Sequence, residues 1–233
     1  MILYNASASR LVYIGVTAMT RSRLIALVFS ALASANVLTA QPTQPGHYGI
    51  FSGSSSVGVG FPGSVTFDFY TGIFKVTGGG ADMWGTTDAF HLGWVKLQGD
   101  YAISADIEFP DKVPSPLAKA VLILRQSLDP GSAYADVAIH ADGHITLQYR
   151  EKTGGETADV TSPLHNSKRI RIERRGDVFT ASAQAEDGKM IPFSTYTVPM
   201  NGPVFVGIGA CPHDVKNIVT IRFSNVVIDR LGN

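Results

Sequence analysis

Short runs of alternating apolar and polar residues recur from Val65 to the end of the chain, and turn residues separate these runs. In DYAISADIEF, for example, Ile103 and Ala105 share one face, while Asp106 and Glu108 lie on the other. A period of two residues is typical of β-strands. Beyond the N-terminal segment, no window longer than about a dozen residues keeps a helical period. The pattern therefore predicts an all-β protein.

The number and spacing of the runs narrow the fold further. About 11–13 short strands without a helix indicate two antiparallel sheets packed face to face, in the larger jelly-roll class of β-sandwich. The nearly continuous apolar run KAVLILRQ (119–126) predicts a central strand that is covered on both faces. Ala141-Asp142-Gly143 predicts a tight hairpin between the runs 133–140 and 144–150.

The overall composition excludes several classes of function. Apolar residues make up 45% of the chain and charged residues 16%, a balance that excludes a disordered chain and permits a sizeable core. Lys+Arg and Asp+Glu number 19 each. We therefore expect no nucleic-acid partner and no binding to an anionic membrane through a basic field.

The N-terminus has the three-part pattern of a secretory signal. Arg21 and Arg23 precede the apolar run LIALVFSALA, and small residues lead to a cleavage site after Ala40. Met19 stands where such a signal normally begins, so the true start is expected there or at Met1. The apolar run is too short for a stable membrane span, although a retained N-terminal anchor is the alternative.

These patterns predict a domain organisation and a location. We expect a signal segment at 1–40, a Gly-, Ser- and Pro-rich linker with a first sheet edge at 41–63, and one β-sandwich domain at 64–233. Cys211 is the single cysteine, which makes an intramolecular disulfide impossible. An export signal without disulfides favours a periplasmic or secreted bacterial protein.

Five sequence blocks of the chain occur, in this order, in a known family: GGGADMWGTTDAFHLGWVKLQGDYAISADIEF, KAVLILRQSLDPGSAYADVAIHADGHITLQYR, RIRIERRGDVF, PVFVGIGACPHD and FSNVVI. The chain is similar over 50–228 to the DUF1349-like, concanavalin A-like (laminin G-type) domain of bacterial exported "TolB-like/biopolymer transporter" proteins. The resemblance implies a concanavalin A-like sandwich and no settled biochemical activity, and sandwiches of this type often bind glycans.

Both tryptophans of the chain lie in the stretch GGGADMWGTTDAFHLGW (78–94). Trp84 follows a glycine-rich turn, where its indole either stacks on a sugar ring beside Asp82 or, as the alternative, fills the core. Phe90, Leu92 and Trp94 share one strand face and are expected in the core. His91 then lies on the opposite face, pointing away from the interior as a donor to ligand hydroxyl groups.

Polar side chains also recur on one face of the central strands. If these strands are neighbours, the polar side chains converge on one surface that suits a hydroxyl-rich ligand or acid–base chemistry. The alternative is a solvated sheet face with cross-strand ion pairs. The residues are Asp106, Glu108, Arg125, Tyr134, Asp136, His140, Gln148 and Arg150.

The favoured function is an exported, non-catalytic domain that binds carbohydrate or another component of the cell envelope. The first alternative is a glycoside-active enzyme that uses Asp106 and Glu108, which match only part of the Glu-x-Asp-x-x-Glu pattern of concanavalin-type glycanases. The second is a protein-interaction scaffold of the envelope. The predicted glycan site contains Trp84, His91, Arg125, Asp136, His140 and Gln148.

No complete metal or cofactor motif is present in the sequence. His140 and His144 flank a tight turn, but two histidines lack the third ligand that a metal site needs. A structural Ca²⁺ at loop acids such as Asp129 and Asp142 is compatible with the fold class, although no spacing identifies a site. Cys211 and His213 superficially suggest a nucleophile pair, and a buried thiol beside a loop is the preferred interpretation. We expect neither a cofactor nor a metal site.

Overall fold

The structure is a computed structural model that describes residues 48–58 and 61–232. The expected signal segment and most of the expected linker lie outside the described residues. Among the described residues all regular elements are β-strands. No helix in this part of the chain is long and apolar enough to cross a membrane.

Two antiparallel sheets of seven strands each form the domain. We call the first one the front sheet. It contains, in spatial order, β1 (Gly53–Val57), β6 (Phe90–Leu97), β15 (Val204–Cys211), β8 (Lys119–Arg125), β9 (Tyr134–His140), β10 (Ile145–Arg150) and β11 (Ala158–Thr161).

The second sheet, called the back sheet, has the same number of strands. It contains, in spatial order, β14 (Met190–Thr197), β13 (Val178–Gln184), β12 (Arg169–Arg175), β7 (Tyr101–Glu108), β16 (Asp214–Arg230), β3 (Ile73–Gly80) and β2 (Ser64–Asp68). A separate two-stranded hairpin, called the covering hairpin, is formed by β4 (Met83–Trp84) and β5 (Thr87–Asp88).

The main core lies between the two sheets and follows the predicted alternation. Val137 and Ile139 of β9 and Leu147 of β10 point into it from the front sheet, and Ile103 and Ala105 of β7 point into it from the back sheet. Burial of such side chains is the largest favourable contribution to folding, at roughly 25 cal/mol per Å² of apolar surface.

The predicted hairpin around 141–143 and the predicted central strand are confirmed. Strands β9 and β10 pair antiparallel around 141–143, and β2 pairs with β3 around the Thr71-Gly72 turn. β8 lies fourth among the seven strands of the front sheet, and all of its residues are buried. The alternating pattern therefore placed the central strands correctly.

The sequence did not predict three short elements. β4, β5 and β11 contain two, two and four residues, which are too few for a periodic pattern to be recognised. β11 lies within the polar stretch 153–166, whose composition is typical of a loop between strands. Together with β1, these strands raise the number in the described residues above the expected 11–13.

A second apolar cluster covers the outer face of the front sheet. Met83 of the covering hairpin is fully buried there, against front-sheet side chains that point away from the main core. The other buried members are Val57, Phe90, Leu92, Val121, Ile123, Tyr134, Ala138 and Cys211. The central strands β8 and β9 of the front sheet are therefore buried on both faces.

The expected orientation of His91 is wrong. Phe90 and Leu92 point into the second cluster, with Trp94 packed against it, so His91 faces the space between the two sheets beside its strand partner Ala210. The imidazole of His91 is completely buried, at 2.7 Å from Ser54 Oγ through Nε2 and 2.9 Å from Ser56 Oγ through Nδ1. Burial lowers the pKa of His91 to about 4.

Candidate functional site

A pocket of about 380 Å³ opens on the outer face of the front sheet, beside the covering hairpin. We call it the Trp84 pocket. Its floor is formed by Lys119, His140, Thr146 and Gln148 from β8, β9 and β10. Its walls are formed by Asp82, Trp84, Leu117, His144, Asp159 and His213.

Trp84 presents its indole at the wall of this pocket. The residue is 44% exposed and lies in β4, opposite Thr87 of β5. The turn between the two strands contains Gly85 at φ +60°, a left-handed conformation that glycine adopts without strain. The short turn therefore holds the indole at the surface instead of in the core.

Lys119 ties the covering hairpin to the floor of the pocket. Its ammonium group lies 2.6 Å from a carboxylate oxygen of Asp82 and donates to the Met83 carbonyl at 3.1 Å and to Gln148 Oε1 at 3.4 Å. It also lies 5.8 Å from the centre of the Trp84 ring. Burial alone would raise the pKa of Asp82, but the charge and hydrogen bond of Lys119 outweigh burial and lower it.

Two histidines form the opposite side of the pocket. The rings of His140 and His144 stack with their centres 3.7 Å apart, and His144 Nδ1 lies 2.5 Å from Asp142 Oδ1. Burial, followed by the nearby His144 and Lys119, lowers the pKa of His140 to about 3. His140 is therefore uncharged at neutral pH, and its Nδ1 has no hydrogen-bond partner in the described residues.

A fully buried ion network fixes the base of the covering hairpin. Asp88 of β5 accepts from Arg150 Nη2 at 2.7 Å and from Arg125 Nη1 at 3.3 Å, and all three side chains are inaccessible to solvent. Arg150 also donates to the carbonyl of Gly85, immediately after Trp84, at 3.0 Å. The same carbonyl accepts from the Thr157 amide at 2.9 Å. The network therefore sets the position of the indole from beneath.

Asp136 lies beside this network without being part of it. The residue is completely buried, and neither carboxyl oxygen has a hydrogen-bond partner among the described residues. Burial raises the pKa of Asp136 well above its usual range, against the opposing effect of Lys119. The folded carboxyl group therefore holds its proton to a higher pH than an exposed aspartate does.

The structure brings together only some of the residues that the sequence predicted for the site. Trp84, His140 and Gln148 line the Trp84 pocket. Arg125 and Asp136 are completely buried and do not line the pocket. His91 is buried between the sheets and is not part of the pocket.

The expected convergence of the polar face is correct for the six front-sheet residues and wrong for Asp106 and Glu108. Asp106 and Glu108 belong to β7 of the back sheet, whereas Arg125, Tyr134, Asp136, His140, Gln148 and Arg150 belong to the front sheet. Asp106 is bound by Arg169 at 2.6 Å and by Asn225 at 2.6 Å, and Glu108 lies 3.4 Å from Arg222. These carboxylates thus form cross-strand ion pairs on a different surface.

Within the described residues, no group of three or more His, Cys, Asp or Glu side chains has a geometry that could hold a metal ion. Cys211 is completely buried, and burial raises the pKa of its thiol to about 12. His213, with φ +52°, is turned towards Asp82, whose carboxylate lies 3.2 Å from its Nδ1. Cys211 is therefore a structural thiol and not a nucleophile activated by His213.

Sequence reasoning missed Lys119, Asp159 and His213 as pocket residues. Lys119 shares a strand face with Val121, Ile123 and Arg125, so its side of the sheet could have been predicted. Asp159 lies in the short edge strand β11 and His213 in a turn, where no periodic signal exists. Their placement depends on tertiary pairing that a single sequence does not reveal.

Neither a family model nor a curated protein matches the sequence. Several solved structures are nevertheless similar in fold. A functionally unknown protein from Saccharomyces cerevisiae superposes with a TM-score of 0.55 at 18% identity, covering 76% of this chain and 97% of that one. A carbohydrate-binding module from Bacillus subtilis superposes with a TM-score of 0.50 at 15% identity, covering 78% and 98%.

A β-1,3-1,4-glucanase (lichenase) from a mouse hindgut metagenome is more distant, with a TM-score of 0.45 at 13% identity over 76% of this chain and 93% of that one. At such identities the likeness concerns the fold alone. The two seven-stranded antiparallel sheets, together with the superpositions on the yeast protein and the carbohydrate-binding module, confirm the predicted fold: the chain is a concanavalin A-like, jelly-roll β-sandwich.

Proposed function

We propose that the protein binds carbohydrate in the Trp84 pocket without catalysing a reaction. One observation carries the proposal: a half-exposed indole stands at the wall of a pocket whose floor is polar. An indole face stacks on the apolar face of a sugar ring, while polar groups around it bond the hydroxyls. The pocket volume lies at the small end of the range of roughly 300–1,000 Å³ for small-molecule sites.

The polar groups of the pocket suit hydroxyl recognition. The Gln148 side-chain oxygen is occupied by Lys119, which leaves its amide nitrogen as a donor. His140 and His144 both line the pocket, and Asp142 orients the His144 ring; the Nδ1 atom of His140 is buried and has no hydrogen-bond partner among the described residues. The fold is shared with a carbohydrate-binding module, which supports the proposal by analogy only.

The test is a glycan array followed by calorimetry on the best ligand, with wild type, Trp84→Ala and Tyr70→Ala. Tyr70 is a fully exposed aromatic residue in the β2–β3 turn of the back sheet and serves as the matched control. We expect Trp84→Ala to weaken binding by about tenfold or more, and Tyr70→Ala to leave it unchanged. Equal affinities of wild type and Trp84→Ala would remove the pocket from the proposal.

We further propose that this domain is an exported, DUF1349-like envelope component and that its ligand is a glycan or another envelope molecule. The support is the signal-like pattern before Ala40 and the order of the sequence blocks quoted above. N-terminal sequencing of the protein recovered from the periplasm or medium should begin at Gln41. Recovery only of uncleaved protein in the membrane fraction would favour a retained anchor instead.

A further inference from the structure

The charges around the Trp84 pocket point to a class of sugar. We propose, on the basis of the function proposed above, that the pocket accepts uncharged sugars and rejects uronic acids. To bind a uronic acid, the pocket would need a cation or a hydrogen-bond donor that is available to the ligand carboxylate.

Lys119 is the sole Lys or Arg side chain among the described residues that line the pocket. It is only 2% exposed, and its ammonium group already contacts the Asp82 carboxylate, the Met83 carbonyl and the Gln148 side chain. An ammonium group has three N–H donors. No donor of Lys119 is therefore left for a carboxylate on a ligand.

The imidazoles do not replace this missing cation. His140 is uncharged because it is buried, and its ring is stacked on that of His144. His144 is paired with Asp142 and His213 lies against Asp82, so each of these rings already has a carboxylate beside it. A second carboxylate brought by a ligand would compete with an acid that the protein has placed there.

The remaining charges at the rim are negative. Asp159 lines the pocket from β11, beside Gln148, and makes no ion pair among the described residues. Asp82, whose carboxylate contacts Lys119, is the other acid of the pocket lining. A carboxylate entering the pocket would lose water while facing like charges, which is costly, whereas a hydroxyl group would find acceptors.

Matched sugars separate charge from shape. The probes are tetrasaccharide pairs of glucose and glucuronate, galactose and galacturonate, and mannose and mannuronate, with the same linkage within each pair. Binding is measured by calorimetry at pH 8, where an ordinary histidine carries no charge. The proteins are wild type, Trp84→Ala, Asp159→Asn and Glu186→Gln, the last removing an exposed acid from the β13–β14 turn of the back sheet.

We expect the neutral member of at least one pair to bind in a Trp84-dependent manner, and its uronate to bind at least about tenfold more weakly. Asp159→Asn should reduce this difference by about two- to fivefold, the effect of one exposed charge, and Glu186→Gln should not change it. A uronate that binds as tightly as its neutral partner, and loses binding in Trp84→Ala, overturns the inference but leaves carbohydrate binding standing. Failure of every probe and every array glycan overturns the proposed function, and with it this inference.

Discussion

The outer faces of the two sheets have similar sequence patterns but differ in their exposure to solvent. On the front sheet, Arg125 and Arg150 are completely buried with Asp88, beneath the covering hairpin. On the back sheet, Asp106 and Glu108 pair with Arg169 and Arg222 at partly exposed positions. An alternating strand thus specifies which side chains share a face, but the cover on that face decides whether its charges are buried.

The largest expected difference between the faces concerns their ion pairs. Asp88→Asn leaves two buried guanidinium groups without a counter-charge, and we expect the free energy of unfolding to fall by about 3–5 kcal/mol. Asp106→Asn, the same change at the Arg169 pair on the back sheet, should cost about 0–1 kcal/mol because solvent screens that pair. Urea denaturation of wild type and both variants measures the two changes in the free energy of unfolding. Equal losses in both would show that the cover over the front sheet is energetically unimportant.

An intermediate effect is expected from the buried carboxyl group of the front sheet. Asp136 has a raised pKa in the folded protein, while an unfolded Asp titrates near about 3.9. The native state therefore holds a proton that the unfolded state has lost, and this contribution to stability falls as the pH rises above about 4. The fall continues, at up to about 1.4 kcal/mol per pH unit, until the folded carboxyl group ionises.

Asp136→Asn removes this dependence because asparagine does not titrate. The variant and wild type should have similar stability near pH 4, and the variant should be the more stable at pH 8. Urea denaturation of both proteins at pH 4, 6 and 8 measures the difference, in which contributions of unchanged groups such as Lys119 and Arg125 largely cancel. A difference that does not vary with pH would mean that Asp136 is ionised in the folded protein.

The smallest effect is expected on the exposed face. Glu108→Gln breaks a pair with Arg222 in which both side chains are largely exposed, and stability should change by no more than about 0.5 kcal/mol. The same variant also tests the alternative that the protein is a glycoside-active enzyme. Turnover of an oligosaccharide by wild type, lost in folded Glu108→Gln, would favour a glycoside-active enzyme over a binding domain.

The difference between the two faces also explains which features of the fold and the site could be predicted from the sequence. The alternation in β7, β9 and β10 predicted the sandwich and its core, because one pattern recurs over many residues. Trp84 was recognised because an indole in a glycine-rich turn is unusual. His91 was misplaced because Phe90 to Gly93 are buried on both faces of the strand, so apolar side chains do not identify the face that points into the main core.

The residues that form the walls of the pocket could not be predicted from sequence patterns. Asp159 and the covering hairpin belong to segments about 70 residues apart in the chain, joined by Arg150 and by the bond between Thr157 and Gly85. Such pairings arise from long-range topology and not from local periodicity. A single sequence can therefore indicate the indole, but not the acids and histidines that decide its ligand.

The buried Cys211 has a practical consequence. A thiol that is inaccessible and has its pKa raised to about 12 is almost unreactive in the native protein, whereas an unfolded cysteine is readily attacked at neutral pH. Since no other cysteine is present in the chain, labelling with a thiol reagent reports a single position. Cys211 packs in the same apolar cluster as Met83 of the covering hairpin. The rate at which a thiol reagent modifies Cys211 therefore measures how often the covering hairpin opens.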